Sequence, residues 1–295
     1  MRFQDLVPVL YQEGRFHGDP VTLGVGGFGR VELMTTLTHG KYYAMKRVSK
    51  KLIVAKRQEE HILFEKKILK VIQCDFIILH ATFKDTRYIY MVMEFCSGGE
   101  IWTKLKERGR FEEPIAVFCT ACVVEAFAYL HKNSIMYRDL KPENLLMDVK
   151  GYVKLVDFGF AKELVRGEKT YSFVGTPEYI APEIIKNQGH DYAVDFWSLG
   201  VLIFELLVGP PFSSSEPQKI YSKILDGVPK YPPYLSEAAK SIISKLCPRP
   251  GQRLGNTKNG IKDVRHHGPC YINFDRFPHD QAKADEEFSD WDRDF

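Results

Sequence analysis

No apolar run in this chain approaches the roughly 20 residues that a bilayer-spanning helix requires. The longest strongly apolar stretch, Leu199 to Val208, is broken by Gly200 and Glu205. The N-terminus, MRFQDLVPVLYQEG, has neither a long apolar segment nor a cleavage pattern, so neither a transmembrane segment nor secretion is expected. Charge of one sign is also scarce. A net charge of +3 over 295 residues gives no field for nucleic acid or membrane, and no nucleic-acid partner is expected. Cysteines number six and do not pair by spacing. Cys119 and Cys122 form a lone C-x-x-C in an amphipathic helical run, without the second pair a zinc site needs. Buried, reduced thiols in a cytoplasmic, reducing compartment are the expectation. His266, His267 and Cys270 lie close in sequence, but no metal site is read there. Internal repeats and low-complexity tracts are absent. Only residues 275–295 are lopsided, with eight Asp/Glu against three Lys/Arg, the pattern of a solvated face or flexible end.

What remains is an ordinary globular composition, 44% hydrophobic and 27% charged. Residues 21–95 read as strand-rich. Leu23 and Val25 precede a glycine turn, Val31-Glu32-Leu33 follows it, and Tyr42–Lys46 and Tyr88–Met93 are further runs of β formers. Between them residues 57–72 show helical spacing, with Ile62, Leu63, Ile68, Leu69 and Ile72 on or near one face. After Cys96-Ser97-Gly98-Gly99 the pattern turns helical, with helices predicted over 113–132, 193–208 and 236–247. The fold class is therefore α+β: a small sheet lobe and a larger helical lobe joined near Glu94–Gly98, with a nucleotide cleft at the join.

The chemistry is concentrated in Tyr137-Arg138-Asp139-Leu140-Lys141-Pro142-Glu143-Asn144, followed thirteen residues after Asn144 by Asp157-Phe158-Gly159. Phosphoryl transfer needs a carboxylate at the attacking hydroxyl, a cation on the moving group and oxygen ligands for magnesium. Asp139, Lys141, Asn144 and Asp157 supply that inventory, with Asn144 and Asp157 as the Mg²⁺ ligands. Gly24-Val25-Gly26-Gly27-Phe28-Gly29-Arg30-Val31 matches G-x-G-x-x-G-x-V. A dinucleotide fingerprint requires a helix straight after the glycines, whereas β-type sequence follows here, with Ala44-Met45-Lys46 on the next strand. Lys46 is the cation for the α- and β-phosphates, and Glu65 on the 57–72 helix is its expected partner.

On these residues, and on ACVVEAFAYLH (121–131), GTPEYIAPE (175–183) and RLGNTKNGIKDV (253–264), the chain resembles eukaryotic serine/threonine protein kinases of the AGC group, and within it the catalytic domain of the cGMP-dependent type. The resemblance implies a bilobal kinase fold using ATP and Mg²⁺: an N-terminal extension (1–20), an N-lobe (21–95), a C-lobe (96–270) and a shortened AGC-type tail (271–295). It implies that Leu23, Val31, Ala44 and Leu146 sandwich adenine, that Met93 is the gatekeeper, and that backbone at Glu94 and Cys96 bonds the adenine edge. Glu100 would meet the ribose. Asp195 and Trp197 would brace the catalytic loop, and Glu183 would pair with Arg253. Ser172 would take an activating phosphate and pair with Arg138. Thr176 and Lys141 point to Ser/Thr acceptors, and Glu100, Glu143, Glu178 and Glu205 to substrates rich in Arg or Lys N-terminal to the acceptor.

The pattern is also departed from. Phe76–Phe83, Gly209-Pro210-Pro211 and Pro248–Gly251 each look one residue short, and the segment after His267 is shorter by some thirty. Asn273–Pro278 resembles the tail motif that brings an aromatic, Phe274, to the adenine pocket. No cyclic-nucleotide-binding domain fits before Thr22, so a catalytic fragment or isoform, or inhibition by a separate regulatory subunit or inhibitor, is expected. A kinase-fold scaffold or decoy impaired by the deletions is the alternative function. A dinucleotide-binding oxidoreductase rests on the glycine motif alone.

Overall fold

β-branched and aromatic residues between Val21 and Glu94 build one antiparallel sheet. The computed structural model describes residues 21–35, 41–72, 74–76, 79–227 and 230–267. Strand β1 (Val21–Gly26) turns at Gly27-Phe28 into β2 (Gly29–Thr35), which pairs with β3 (Tyr42–Ser49). Strands β4 (Leu79–Lys84) and β5 (Tyr88–Glu94) complete the order β1-β2-β3-β5-β4. Two helices intervene, α1 (Lys50–Ala55) and α2 (Glu59–Val71). The Ser49 hydroxyl accepts from the Leu52 amide at 3.4 Å and starts α1, a short helix that periodicity does not reveal. Leu63 corrects the expected apolar face: it is 60% exposed, while Ile68 and Leu69 are buried. At about 100° per residue, Leu63 falls opposite Ile68, and Glu65 takes its place on the buried face.

The β4–β5 pairing slips by one between Leu79 and Ala81. The extra residue lies on β4, where the two steps from Leu79 to Ala81 face one step of β5, and the strand keeps its faces beyond the bulge. Ala81 accordingly stays buried.

Beyond Glu94 the chain is mainly helical: α3 (Ile101–Arg108), α4 (Glu113–Lys132), α5 (Pro182–Ile185), α6 (Ala193–Leu207), α7 (Pro217–Asp226), α8 (Glu237–Leu246) and α9 (Ile261–Arg265). The predicted helices at 113–132, 193–208 and 236–247 correspond to α4, α6 and α8; α3 and α7 went unread. Helix α4 corrects the sequence reading of apolar runs, for its 20 residues are long and apolar enough, by length and composition, to cross a membrane. It is not the amphipathic helix expected: it packs against α6, α9 and two short strands, β7 (Ile135–Met136) and β9 (Val153–Leu155), so its apolar residues lie in the core. Gly200 lets α8 approach α6, because a Cβ there would stand 2.5 Å from Cys247 Sγ. Further short strands flank the site: β6 (Gly99–Glu100) and β8 (Leu145–Met147) line up with β9, and β10 (Lys162–Glu163) pairs with β7. The fold is thus a β-rich lobe and a larger helical lobe. The expected N-terminal extension, the tail with Phe274, and Cys270 lie outside the described residues.

Candidate active site

The β2–β3 register sets Val31 opposite Lys46, and the β3–β5 register sets Ala44 opposite Met93. Cross-strand partners share a face, as do residues two apart. Val31, Ala44, Lys46 and Met93 therefore lie on one side of the sheet. Leu23 sits at a bulge in the β1–β2 pairing, and Leu146 on β8 belongs to the helical lobe. Cys96 is buried just beyond β5, while Glu100 is exposed at the start of α3.

The glycines of the first turn divide by role. A Cβ on Gly29 would lie 1.8 Å from the Arg47 carbonyl oxygen, so Gly29 is required by the sheet itself. A Cβ on Gly24 would meet nothing within 4 Å, and one on Gly26 only the Gly29 carbonyl oxygen at 4.0 Å. No internal packing demands those two, which leaves their backbone open to a ligand. Lys56 reaches the turn from the end of α1, donating to the Gly27 carbonyl at 3.0 Å and standing 4.8 Å from the Phe28 ring centre. Arg30 contributes backbone to this loop, but its guanidinium is paired with buried Glu32 at 3.0 Å.

Lys46 Nζ donates to Glu65 Oε1 at 2.6 Å and lies 3.5 Å from Asp157 Oδ1. Burial works to lower the Lys46 pKa, but the Glu65 and Asp157 carboxylates outweigh it and hold the value well above the ordinary lysine range. Partial desolvation works to raise Asp157, whose side chain stays 52% exposed, and the Lys46 cation and the Gly159 amide bring it below the usual carboxylate range. Both groups are charged at neutral pH. Helix α2 is held against the helical lobe by Lys67 and Glu163, 2.6 Å apart.

Asp139 is buried and fully engaged. Its Oδ1 accepts from the Thr176 hydroxyl at 2.7 Å, and its Oδ2 from Asn144 Nδ2 at 2.9 Å, with Lys141 Nζ at 3.0 Å. Lys141 also donates to Thr176 Oγ1 at 2.9 Å. Asn144 spends its amide nitrogen on the Asp139 carboxylate and carbonyl, so its own oxygen remains as an acceptor. The donor set left by Asn144 and Asp157, an amide oxygen and an ionised carboxylate, suits a hard divalent cation. Asp157 and Arg138 both have left-handed backbone, φ 59° and 68°. Asp195 fixes this loop, accepting from the Tyr137 amide at 3.0 Å, the Arg138 amide at 2.8 Å and His131 Nε2 at 2.8 Å. Trp197 does something different from its expected bracing role: it stacks on Phe212 and lies under the Arg253 guanidinium. Arg253 and Glu183 are fully buried partners, at 2.6 and 3.1 Å.

Arg138 donates to Ser172 Oγ and to the Phe160 carbonyl, both at 2.7 Å. Burial lowers its pKa to about 10 despite the help of Asp195, as befits a guanidinium short of a close anion. Lys162, which the sequence does not single out, donates to Thr170 at 2.8 Å, next to Ser172. Within the helical lobe, Tyr179 donates to Glu205, whose pKa is raised by burial and by the Glu143 and Glu178 carboxylates. Three carboxylates therefore gather around one tyrosine. Glu100 is not among the carboxylates that act on Glu205.

A protein kinase domain signature matches residues 19–267. The chain belongs to the protein kinase family. It is 48% identical over 305 aligned positions to cGMP-dependent protein kinase 2 of Homo sapiens, covering 93% of this chain and 40% of the relative. It is 47% identical to cGMP-dependent protein kinase, isozyme 2 forms cD5/T2, of Drosophila melanogaster, covering 93% of this chain and 33% of that one. For cGMP-dependent protein kinase egl-4 of Caenorhabditis elegans the figures are 45%, 93% and 39%. This kinase chain thus spans about 40% or less of these relatives' length. The human alignment runs over more positions than the chain's 295 residues, so the relative carries residues that this chain lacks.

Proposed function

We propose that this chain transfers the terminal phosphoryl group of ATP to Ser or Thr hydroxyls of protein substrates with Arg or Lys N-terminal to the acceptor. One observation carries the reading: Lys46, paired with Glu65, stands beside Asp157 while Lys141 and Asn144 converge on Asp139. Leu23, Val31, Ala44, Met93 and Leu146 enclose the adenine, and backbone at Glu94 and Cys96 bonds its edge. Glycine-loop amides and Lys46 orient the phosphates. Mg²⁺, held when bound by Asn144 and Asp157, neutralises phosphate charge. Asp139 orients the acceptor hydroxyl and draws off its proton, the donation that Thr176 makes to it here. Lys141 meets charge developing on the transferred group. Glu143, Glu178 and Glu205 receive the substrate's basic side chains, and Glu100 meets both ribose and substrate.

We infer further that Ser172 is the activating phosphosite and that residues 21–95 and 96–270 act as the two lobes. The buried thiols suit a reducing, cytoplasmic setting: burial pushes Cys96, Cys119 and Cys122 up to about 12. A second reading, a kinase-fold scaffold, draws on the residues this chain lacks relative to the human kinase. Incubating the chain, phosphorylated at Ser172, with ATP, Mg²⁺ and an Arg-rich Ser peptide decides between them. Labelled peptide supports the kinase; nucleotide binding without labelling supports the scaffold.

A further inference from the structure

Lys154 plays no part in the phosphate chemistry, yet it is only 8% exposed and has oxygen on three sides. Its ammonium lies 3.2 Å from Glu94 Oε2 and 3.4 Å from Asp148 Oδ2, and donates to the Asp75 carbonyl at 2.5 Å. These partners belong to separate segments. Glu94 ends β5 and begins the crossing to the helical lobe, and Asp75 lies in the connection from α2 to β4. Asp148 caps the β8–β9 turn, accepting from the Lys150 and Tyr152 amides at 2.9 Å each. The next residue repeats the attachment, for the Leu155 amide donates to the Phe76 carbonyl at 2.9 Å. Across the ladder from Lys154 stands Leu146, assigned above to the adenine floor.

Two neighbouring residues of β9 thus pin the crossing at Glu94 and the connection from α2 to β4 to the helical lobe. We propose that Lys154 is a positioning residue for nucleotide binding, holding the Glu94–Cys96 backbone in the geometry that accepts adenine; this rests on the ATP reading above. When a binding-competent geometry is only partly populated, apparent affinity falls by that fraction. A buried ion cluster fixes one arrangement where apolar contacts would allow several. Loss of the pin should therefore weaken nucleotide binding while Lys46, Asp139 and Asp157 still perform the transfer.

The test uses the full chain carrying Lys154→Met, Lys154→Arg or Asp148→Asn, which keeps the turn cap on Oδ1 and removes the charge facing Lys154, with ADP affinity by calorimetry and KM and kcat for ATP on an Arg-rich Ser peptide. Lys154→Met and Asp148→Asn are each expected to raise the ADP Kd and the KM for ATP about three- to tenfold, with kcat within about twofold of wild type. Lys154→Arg should restore wild-type values, and the Met/Asn double variant should fall short of the product of the two single effects. A purely structural residue would instead lower kcat through loss of folded enzyme and leave KM alone; that result, or an unchanged ADP Kd, overturns the proposal. If Lys154→Met does not fold, Asp148→Asn decides alone by the same criterion. Wild-type chain that binds no ADP contradicts the nucleotide reading itself, whereas wild-type binding with indifferent variants contradicts only the role of Lys154.

Discussion

Asp139 is held by a hydroxyl, an amide and an ammonium, so under the proposed role its carboxylate has little freedom left to lose on taking a substrate hydroxyl in place of that of Thr176. Such fixation is what electrostatic preorganisation means for one side chain. His190 shows the opposite economy. It is buried against Thr170, and burial, then the Arg138 cation, push its pKa down to about 4, with Glu183, Asp195 and Asp191 pulling the other way. Between about pH 6.5 and 4 the unfolded chain binds a proton at this histidine that the folded chain refuses, so stability falls as pH drops through that window. At about 1.4 kcal/mol per unit, the fall from 6.5 to about 4 corresponds to a loss of at most about 3–4 kcal/mol. Thermal midpoints measured from pH 7 to 4 should fall less steeply in His190→Asn; an unchanged slope contradicts the assignment. That Asp139, Lys141, Asn144 and Asp157 belong to one cluster was legible because they lie in two short strings of fixed spacing. Lys154 was not legible, since its partners lie six to seventy-nine positions away and a lone strand lysine carries no signal.

At the scale of elements, the segment between Asp157 and Glu183 gathers Arg138, Lys162, Thr170 and Ser172 around a site that holds two cations and no carboxylate partner among their hydrogen bonds. A phosphate on Ser172 brings charge and acceptor oxygens to those cations and orders the segment. One charge-assisted hydrogen bond is worth about 1.5–3 kcal/mol. Ser172→Ala is accordingly expected to lower kcat/KM roughly 10- to 100-fold relative to chain phosphorylated at Ser172, in peptide assays with phosphorylation followed by mass spectrometry. Equal activity of the two forms removes Ser172 from the account. Among the elements themselves, the strands of the sheet were legible from their β formers, and α6 and α8 from their apolar spacing and stop signals. Helix α1 hangs on one serine cap and α3 spans only eight residues beyond a glycine pair, too short for spacing to identify either, whereas the extent of α4 was legible but its enclosure by neighbours on several sides was not.

For the whole molecule, the helical lobe is tied together where Arg253 meets Glu183 and the Ala193 carbonyl over Trp197, with none of the guanidinium exposed. Removing one partner strands a buried charge, at a cost of about 3–5 kcal/mol. Arg253→Met should lower the thermal midpoint on the order of 10 °C, and a shift under about 2 °C contradicts this role for the pair. The bilobal plan followed from where strand-type sequence gives way to helical sequence. The bulge in β4–β5 emerged only from the pairing register. At this scale the account reduces to phosphoryl transfer between the lobes, and its most direct measurement compares wild type with Asp139→Asn, both phosphorylated at Ser172, for ADP binding and for labelling of an Arg-rich Ser peptide by ATP and Mg²⁺. The account predicts equal ADP affinity with kcat reduced about 10²- to 10⁴-fold in the variant. Equal labelling by both chains, or none by wild type that binds ADP, contradicts it.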